Sequence, residues 1–445
     1  MANKKAPANM RSRLSEPSPE QKTFAAVAPS VFPYCKKVLV IGAGAAGMLA
    51  AITAAENGAN VTLMEKNARV GRKIMITGKG RCNITNNCDV QTFIRNVPVN
   101  GRFLYSAASR FSPADTMQFF ENLGLALKTE RGNRVFPVSE RAVDVVDTLR
   151  DAAIAGGVQL IHDIARALIL ENQTVIGVKG EIESYFADSV VICCGGKSYP
   201  LTGSTGDGYR LAKQAGHTVT VLKPSLVPLE SSDGECKSMQ GLALKNVSLA
   251  IINNNSKKEI YSDFGEMLFT HFGISGPMVL SASSHIRDFD GDTFTAVVDL
   301  KPALHMEQLD RRLQNEFRAN ANKDISNSFS KLLPKKMIIP VLKRWGIPFQ
   351  KKCNAVTREE RHALCEILKG FTIPITGFRP IEEAIVTSGG VKTDEINPKT
   401  MASKRISGLF FAGEVIDCDA YTGGFNLQIA WSTGRLAGEN ASLSE

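Results

Sequence analysis

The chain has 445 residues, 43% of them hydrophobic and 22% charged, with a net charge of +9 at pH 7. This composition excludes a disordered or fibrous chain and suits a globular protein of two or three domains; the charge permits an anionic partner without requiring one. Nine cysteines, an odd number without a C-x-x-C pair, exclude a disulfide framework or a zinc site, leave no metal site in view, and point to a reducing cytoplasmic compartment.

Residues 1–36 are polar and basic, with Lys4, Lys5, Arg11, Arg13 and Lys22 against Glu16 and Glu20. The apolar stretch from Phe24 to Phe32 is short and contains Pro29, so a secretory signal is not expected. This segment reads as a disordered basic tail.

Residues 38–65, VLVIGAGAAGMLAAITAAENGANVTLME, predict a strand, a glycine-rich turn, a helix, a second strand and a closing acid. Gly42, Gly44 and Gly47 form G-x-G-x-x-G directly after the strand. The first allows the tight turn, the second lets the backbone approach a pyrophosphate, and the third lets helix and strand pack closely. Ala45 and Ala46 open the helix, whose free N–H groups favour phosphate. Gly58 ends the helix, and Glu65 stands where a carboxylate can bind the ribose hydroxyls of an adenosine. Residues 38–55 have nearly the length of a membrane span, but the glycine spacing, Glu56-Asn57 and the second strand favour a buried βαβ unit, and no membrane association is expected.

Residues 66–87 show neither helical nor strand period and read as a loop that can run under a cofactor. Residues 92–124 and 140–155 read as helical, and 164–194 as strands ending in DSVVICCGG. Six glycines lie between Gly195 and Gly216, with a helix opening near Gly208. A strand-rich region from Val219 to Val298 contains the loop FTHFGISGPMVL, and 303–369 read as helices. Within these, residues 325–358 hold Lys331, Lys335, Lys336, Lys343, Arg344, Lys351, Lys352 and Arg358 and no acid. These cations could neutralise phosphates, and Trp345 could stack on a base; the competing reading is a solvated face with Trp345 in a core.

Near the C-terminus, Leu409 to Ala412 form a short strand ended by Gly413-Glu414, a carboxylate suited to polyol hydroxyls. Gly423 and Gly424 then lead through Phe425, Asn426 and Leu427 into a last helix, whose dipole would favour negative charge on a reduced flavin. The fold class expected is α/β: a Rossmann-like FAD-binding domain over 37–200, interrupted by a β-rich insert over 201–302 and a helical basic subdomain over 303–373, and completed over 374–445.

The runs GAGAAGMLAA, TGKGRCNITN, GGKSYPLTGSTGDGY, THFGISGP, TSGGV and GLFFAGEVIDCDAYTGGFNLQIAWSTGRLAG resemble the BaiN/YhiN-like (BaiN/RdsA) family of NAD(P)/FAD-dependent oxidoreductases, within the two-dinucleotide-binding-domain flavoproteins. The resemblance covers roughly 37–445. It implies FAD contacted by Gly42, Gly44, Ala45, Ala46, Gly47, Glu65, Lys66, the loop around Arg72 and Gly80, Gly195, Gly413, Glu414 and the Gly424–Leu427 turn. Arg81, Cys82 and Asn83 are further flavin or substrate candidates. The family is linked to dihydrouridine formation in ribosomal RNA, to reduction of oxidised bile acids and to amine oxidation. The first two share hydride transfer to a C=C conjugated with a carbonyl.

Cys82, beside Arg81, is a candidate proton donor if its pKa is lowered; His271 could orient substrate; Tyr421 could polarise a carbonyl. Each has an ordinary packing role as its alternative. His162, His217, His285, His305 and His362 have no motif around them and read as structural. No second G-x-G-x-x-G is apparent, so NAD(P)H is expected as a transient reductant. The leading expectation is an NAD(P)H-driven, FAD-dependent reductase acting on uridine in ribosomal RNA, bound through residues 325–358. The alternatives are a small-molecule enone reductase or amine oxidase, and a non-catalytic flavin-stabilised RNA-binding protein.

Overall fold

The computed structural model describes residues 35–286 and 289–443. Apart from Cys35 and Lys36, the tail expected over 1–36 lies outside the described residues. Val38 to Ile41 are buried on both faces of the strand Lys37–Ile41, the condition under which an apolar run becomes a central parallel strand. This strand pairs in parallel with Asn60–Glu65 on one side and Ser189–Ile192 on the other. Gln159–His162 and Leu409–Phe411 complete a five-stranded parallel sheet at its two edges. The strand order reverses at Lys37–Ile41, so the crevice beyond its C-terminal end is a topological switch point.

The helix Ala45–Glu56 is almost wholly buried from Ala46 to Ala54, because it is sandwiched between the sheet and the last helix, Phe425–Ala441. A Cβ on Gly434 would fall 2.5 Å from the Ala46 carbonyl oxygen, and one on Gly438 would fall 2.4 Å from that of Ala50. Glycine is therefore what lets these two helices touch through their backbones.

The insert is a closed antiparallel barrel of Leu229–Ser231, Gly273–Ser275, Lys258–Phe269, Ala243–Asn253, Phe294–Asp299 and Phe371–Phe378, in that order around it. Helices Met306–Ala319, Lys335–Trp345 and Arg358–Lys369 pack on it and share its hydrophobic core. A separate core fills the parallel-sheet part.

Several elements differ from expectation. The insert starts later than 201, since Tyr209, Leu211 and Ala212 of helix Asp207–Gln214 belong to the first core. It also runs past 373: the strand Phe371–Phe378 crosses that boundary because the barrel closes only when it joins Phe294–Asp299 to Leu229–Ser231. The helical stretch 92–124 is broken into Val90–Arg95, Tyr105–Arg110 and Pro113–Asn122, the last started by Pro113 and a Ser112/Asp115 capping box. The loop 66–87 contains the short helix Arg72–Ile76, and the FTHFGISGPMVL loop supplies a barrel strand and the start of helix Pro277–Ser283. No helix among the described residues is long and apolar enough to cross a membrane.

Candidate cofactor groove and active site

All five strands of the parallel sheet release their chains into one groove. It is lined by Gly42 to Ala46 after the first strand, Glu65 to Asn67 after the second, and Asp163 to Ala165 after Gln159–His162. Cys193 to Gly195 and Ala412 to Glu414 line it after the remaining two. Five strands about 4.8 Å apart span roughly 19 Å, so the groove suits an extended ligand.

Two helix N-termini meet it. Neither Gly44 nor Gly424, the residues that cap them, offers a side-chain acceptor, so the first N–H groups of both helices are left for a ligand. The three glycines of the first loop divide their labour as expected. Gly42 has φ of 99°, and a Cβ there would press on the Cys193 carbonyl at 2.7 Å. A Cβ on Gly47 would strike the Gly42 carbonyl at 1.8 Å, whereas one on Gly44 would meet nothing within 4 Å, leaving that position open.

Two carboxylates stand in the groove. Glu65 is buried; it accepts from the Ala43 N–H at 2.8 Å and from the Asn67 N–H and Nδ2 at 2.8 and 2.7 Å. Of about four acceptor positions on a carboxylate, one is left for a ribose hydroxyl rather than two. Glu414 accepts from Lys73 Nζ at 2.7 Å, the Ser198 hydroxyl at 3.1 Å and the Thr387 N–H at 2.9 Å, again leaving one. Lys66 lines the groove while held by Thr205 and Asp207, and Arg72 lines it while donating to Asn67 at 3.0 Å.

Gly195, Asn426 and Leu427 also line the groove; Gly47, Gly80, Arg81, Cys82, Asn83, Gly424 and Phe425 do not. Gly424 instead packs on the Thr85 backbone, where a Cβ would fall at 2.4 Å. Arg81 pairs with Glu130 and Glu140 and lies over the Phe136 ring. Its charge is thus engaged away from Cys82, which is fully buried; burial pushes that thiol up to about 12, the reverse of the expected lowering. The Asn83 Oδ1 atom is buried without a hydrogen-bond partner among the described residues. His271 is exposed beside Phe272 in the turn before the strand Gly273–Ser275. Tyr421 is half-buried and stacks on His285, with ring centroids 5.0 Å apart.

Asn67, Lys73, Ser198, Thr387 and Asp163 escaped sequence reasoning. Lys73 lies one residue past Arg72 in the segment read as a loop that can run under a cofactor, and Thr387 sits in the quoted TSGGV run. Ser198 sits in the quoted GGKSYPLTGSTGDGY run, and Asp163 carried no signal beyond its neighbours. Trp345 does not face solvent: it is buried, stacks on Phe317 and donates to the Glu360 carbonyl at 2.6 Å, so it is a core residue and not a base-stacking one.

A parallel sheet with a glycine loop at its switch point, two uncapped helix ends and two partly engaged carboxylates define a Rossmann-type dinucleotide-binding protein. A family model described as HI0933-like protein Rossmann domain matches residues 36–440, and the chain belongs to this family, the one its motifs resemble. It is 30% identical to the 3-dehydro-bile acid delta(4,6)-reductase of Clostridium scindens, over 91% of this chain and 99% of that protein. It is 29% identical to the ribosomal RNA dihydrouridine synthase of Escherichia coli, over 89% of this chain and 95% of that protein. Among solved structures, 3-ketosteroid-delta4-(5alpha)-dehydrogenase from Rhodococcus jostii RHA1 shares the fold, with a TM-score of 0.53 at 14% identity, over 94% of this chain and 99% of that one. The chain is an oxidoreductase of a flavoprotein family, and the groove fits FAD by the open position at Gly44, the two free helix ends and the spare carboxylate acceptors.

Proposed function

We propose that this protein is an NAD(P)H-driven, FAD-dependent reductase of a C=C conjugated to a carbonyl. The observation that carries the reading is one groove fitted to FAD in a chain that aligns along its length with two reductive enzymes. The names of those relatives, a bile-acid delta(4,6)-reductase and a dihydrouridine synthase, share this reaction type. Bound FAD would supply a hydride to the β-carbon of such a substrate.

The chain's own residues do the rest. Glu65 and the helix Ala45–Glu56 hold the adenosine and pyrophosphate. Glu414, kept in place by Lys73, Ser198 and Thr387, holds the ribityl chain. The N-terminus of Phe425–Ala441 favours negative charge at the flavin ring.

For substrate we propose uridine in ribosomal RNA. Lys331, Lys335, Lys343 and Arg358 form no ion pair among the described residues, and Lys331 shares a cleft with Arg311 and Arg312. The other cations of the stretch are engaged: Arg344 with Asp233 and Glu235, Lys351 with Glu360, Lys352 with Asp324, and Lys336 with the Gln240 carbonyl. A small enone is the second reading, favoured by the coverage of the bile-acid reductase.

The test is nucleoside mass spectrometry of ribosomal RNA from the source organism with and without this gene. Dihydrouridine should disappear on deletion and return with the intact gene but not with a Glu65→Ala variant. Unchanged dihydrouridine would reject RNA as the substrate and leave small enones.

A further inference from the structure

Where the barrel meets the parallel-sheet part, three half-buried rings form a row. Tyr261 comes from the barrel strand Lys258–Phe269, His285 follows the barrel helix Pro277–Ser283, and Tyr421 precedes the glycine turn of the last helix. His285 lies between the other two. Its centroid is 4.9 Å from that of Tyr261, and it stacks on Tyr421 at 5.0 Å with only 9° between planes. The Ser281 and Thr422 hydroxyls, 3.2 Å apart, join the two parts beside the row.

The segment carrying Tyr421 is tied to the cofactor groove. Asn426, which lines the groove, accepts from the Ala420 N–H at 2.9 Å and donates to the Ala420 carbonyl at 2.8 Å and the Tyr421 carbonyl at 3.3 Å. Cys418 lines the same groove three residues before Tyr421.

The polar ends of this row are unevenly used. The Tyr261 hydroxyl donates to Asp263 at 3.1 Å. The Tyr421 hydroxyl and both ring nitrogens of His285 have no hydrogen-bond partner among the described residues. Half-buried polar groups without a protein partner are left for water or for a ligand that displaces it. A free phenol held by a ring stack, next to a flavin site, matches a substrate bearing a conjugated carbonyl, to which the phenol offers one hydrogen bond.

We propose that Tyr421 donates its O–H to the carbonyl oxygen of a conjugated substrate, and that His285, stacked between Tyr421 and Tyr261, is the positioning residue that holds the phenol in place. The inference rests on the reading of the site as a flavin-dependent reductase. In that reaction the reduced flavin is the reductant. Its hydride forms the new C–H bond at the β-carbon, the π pair of the C=C shifts to the carbonyl oxygen, and a water proton then bonds the α-carbon. Tyr421 acts on the charge that appears on the oxygen and ends the cycle protonated. Burial raises the Tyr421 pKa, with Asp419 adding to the effect, so the phenol keeps its proton for this role.

The test uses the FAD-loaded full chain and two conjugated-carbonyl probes, 2-cyclohexenone and uridine. Binding to the oxidised enzyme is followed by the flavin absorbance change, which needs no turnover. Oxidation of the anaerobically reduced enzyme by each probe is timed separately.

Tyr421→Phe keeps the ring and its stack, and its flavin content reports folding. It should weaken probe binding about tenfold and slow flavin reoxidation by about 10²-fold. His285→Ala should weaken binding similarly, and His285→Phe, which restores a stacking ring without nitrogens, should recover most of the loss. Tyr421→Phe behaving as wild type in both measurements would overturn the proposal, as would His285→Phe failing to exceed His285→Ala. A wild-type enzyme that binds the probes through Tyr421 but passes them no electrons would instead reject the reductase reading and leave the binding role standing.

Discussion

Cys82 shows how far a neighbour in sequence can mislead. Arg81 precedes it, yet the guanidinium turns outward to Glu130 and Glu140, while the thiol turns into the core with φ of 60°. Sequence adjacency gives no side-chain direction, and the acids that capture Arg81 lie 49 and 59 residues further on. With its thiol pushed up to about 12, Cys82 stays protonated at every ordinary pH. Iodoacetamide at pH 8 should therefore alkylate the exposed Cys35 and leave Cys82 untouched in the native protein, as peptide mass spectrometry would show. Rapid labelling of Cys82 would restore it as a candidate acid. Trp345 misleads in the same way: cations surround it in sequence, yet its ring lies on the core-facing side of its helix, and its neighbour Arg344 is itself drawn in over Phe371 and paired with Asp233 and Glu235. Glu65, by contrast, was legible because its place at the end of a second strand is fixed by the βαβ geometry itself.

At the scale of elements, the strand, loop and helix from Lys37 to Glu56 could be read directly, since a buried strand, a glycine loop and a helix stop each leave a local signature. The barrel could not, because its strand order joins Leu229–Ser231 to Phe371–Phe378 across about 140 residues, and nothing local records such a pairing. The contact between helices Ala45–Glu56 and Phe425–Ala441 is likewise long-range, yet it sets the angle at which two helix ends meet the groove. A Gly434→Ala change places a Cβ 2.5 Å from the Ala46 carbonyl, so the helices must move apart. Overpacking of this kind costs about 1–3 kcal/mol. Gly434→Ala should lower the thermal midpoint and the bound flavin together, as calorimetry and flavin absorbance would show. Unchanged values for both would mean that the helix contact is slack.

The molecule as a whole must rejoin an interrupted domain, and a buried polar cluster helps to do so. His217, from the first half, lies 3.2 Å from Glu395 and 2.8 Å from the Ser403 hydroxyl of the second. Burial lowers the His217 pKa below its ordinary 6.5, outweighing the opposing pull of Glu395, so the native ring is neutral. Burial pushes Glu395 up, but hydrogen bonds from Arg405 and Thr218 outweigh it and hold the carboxyl at about 2. Both folded values lie below the unfolded ones, so the unfolded chain binds more protons and acid destabilises. The histidine contribution is complete above about pH 6.5 and is lost as pH falls through its folded value. The Glu395 contribution is complete above about 4.5 and is lost towards pH 2. Thermal unfolding from pH 7.5 to 4 should show the first decline in the wild type and not in His217→Gln; identical profiles would contradict this account.

The central claim, an FAD-dependent reductase of conjugated C=C bonds, is tested most directly by anaerobic stopped-flow absorbance of the purified holoenzyme. NAD(P)H should bleach the flavin, and a uridine-containing ribosomal RNA fragment or 2-cyclohexenone should then restore its colour, with cyclohexanone inert. A flavin that stays bleached with every conjugated acceptor and recovers only with oxygen would contradict the reductase and point to an oxidase.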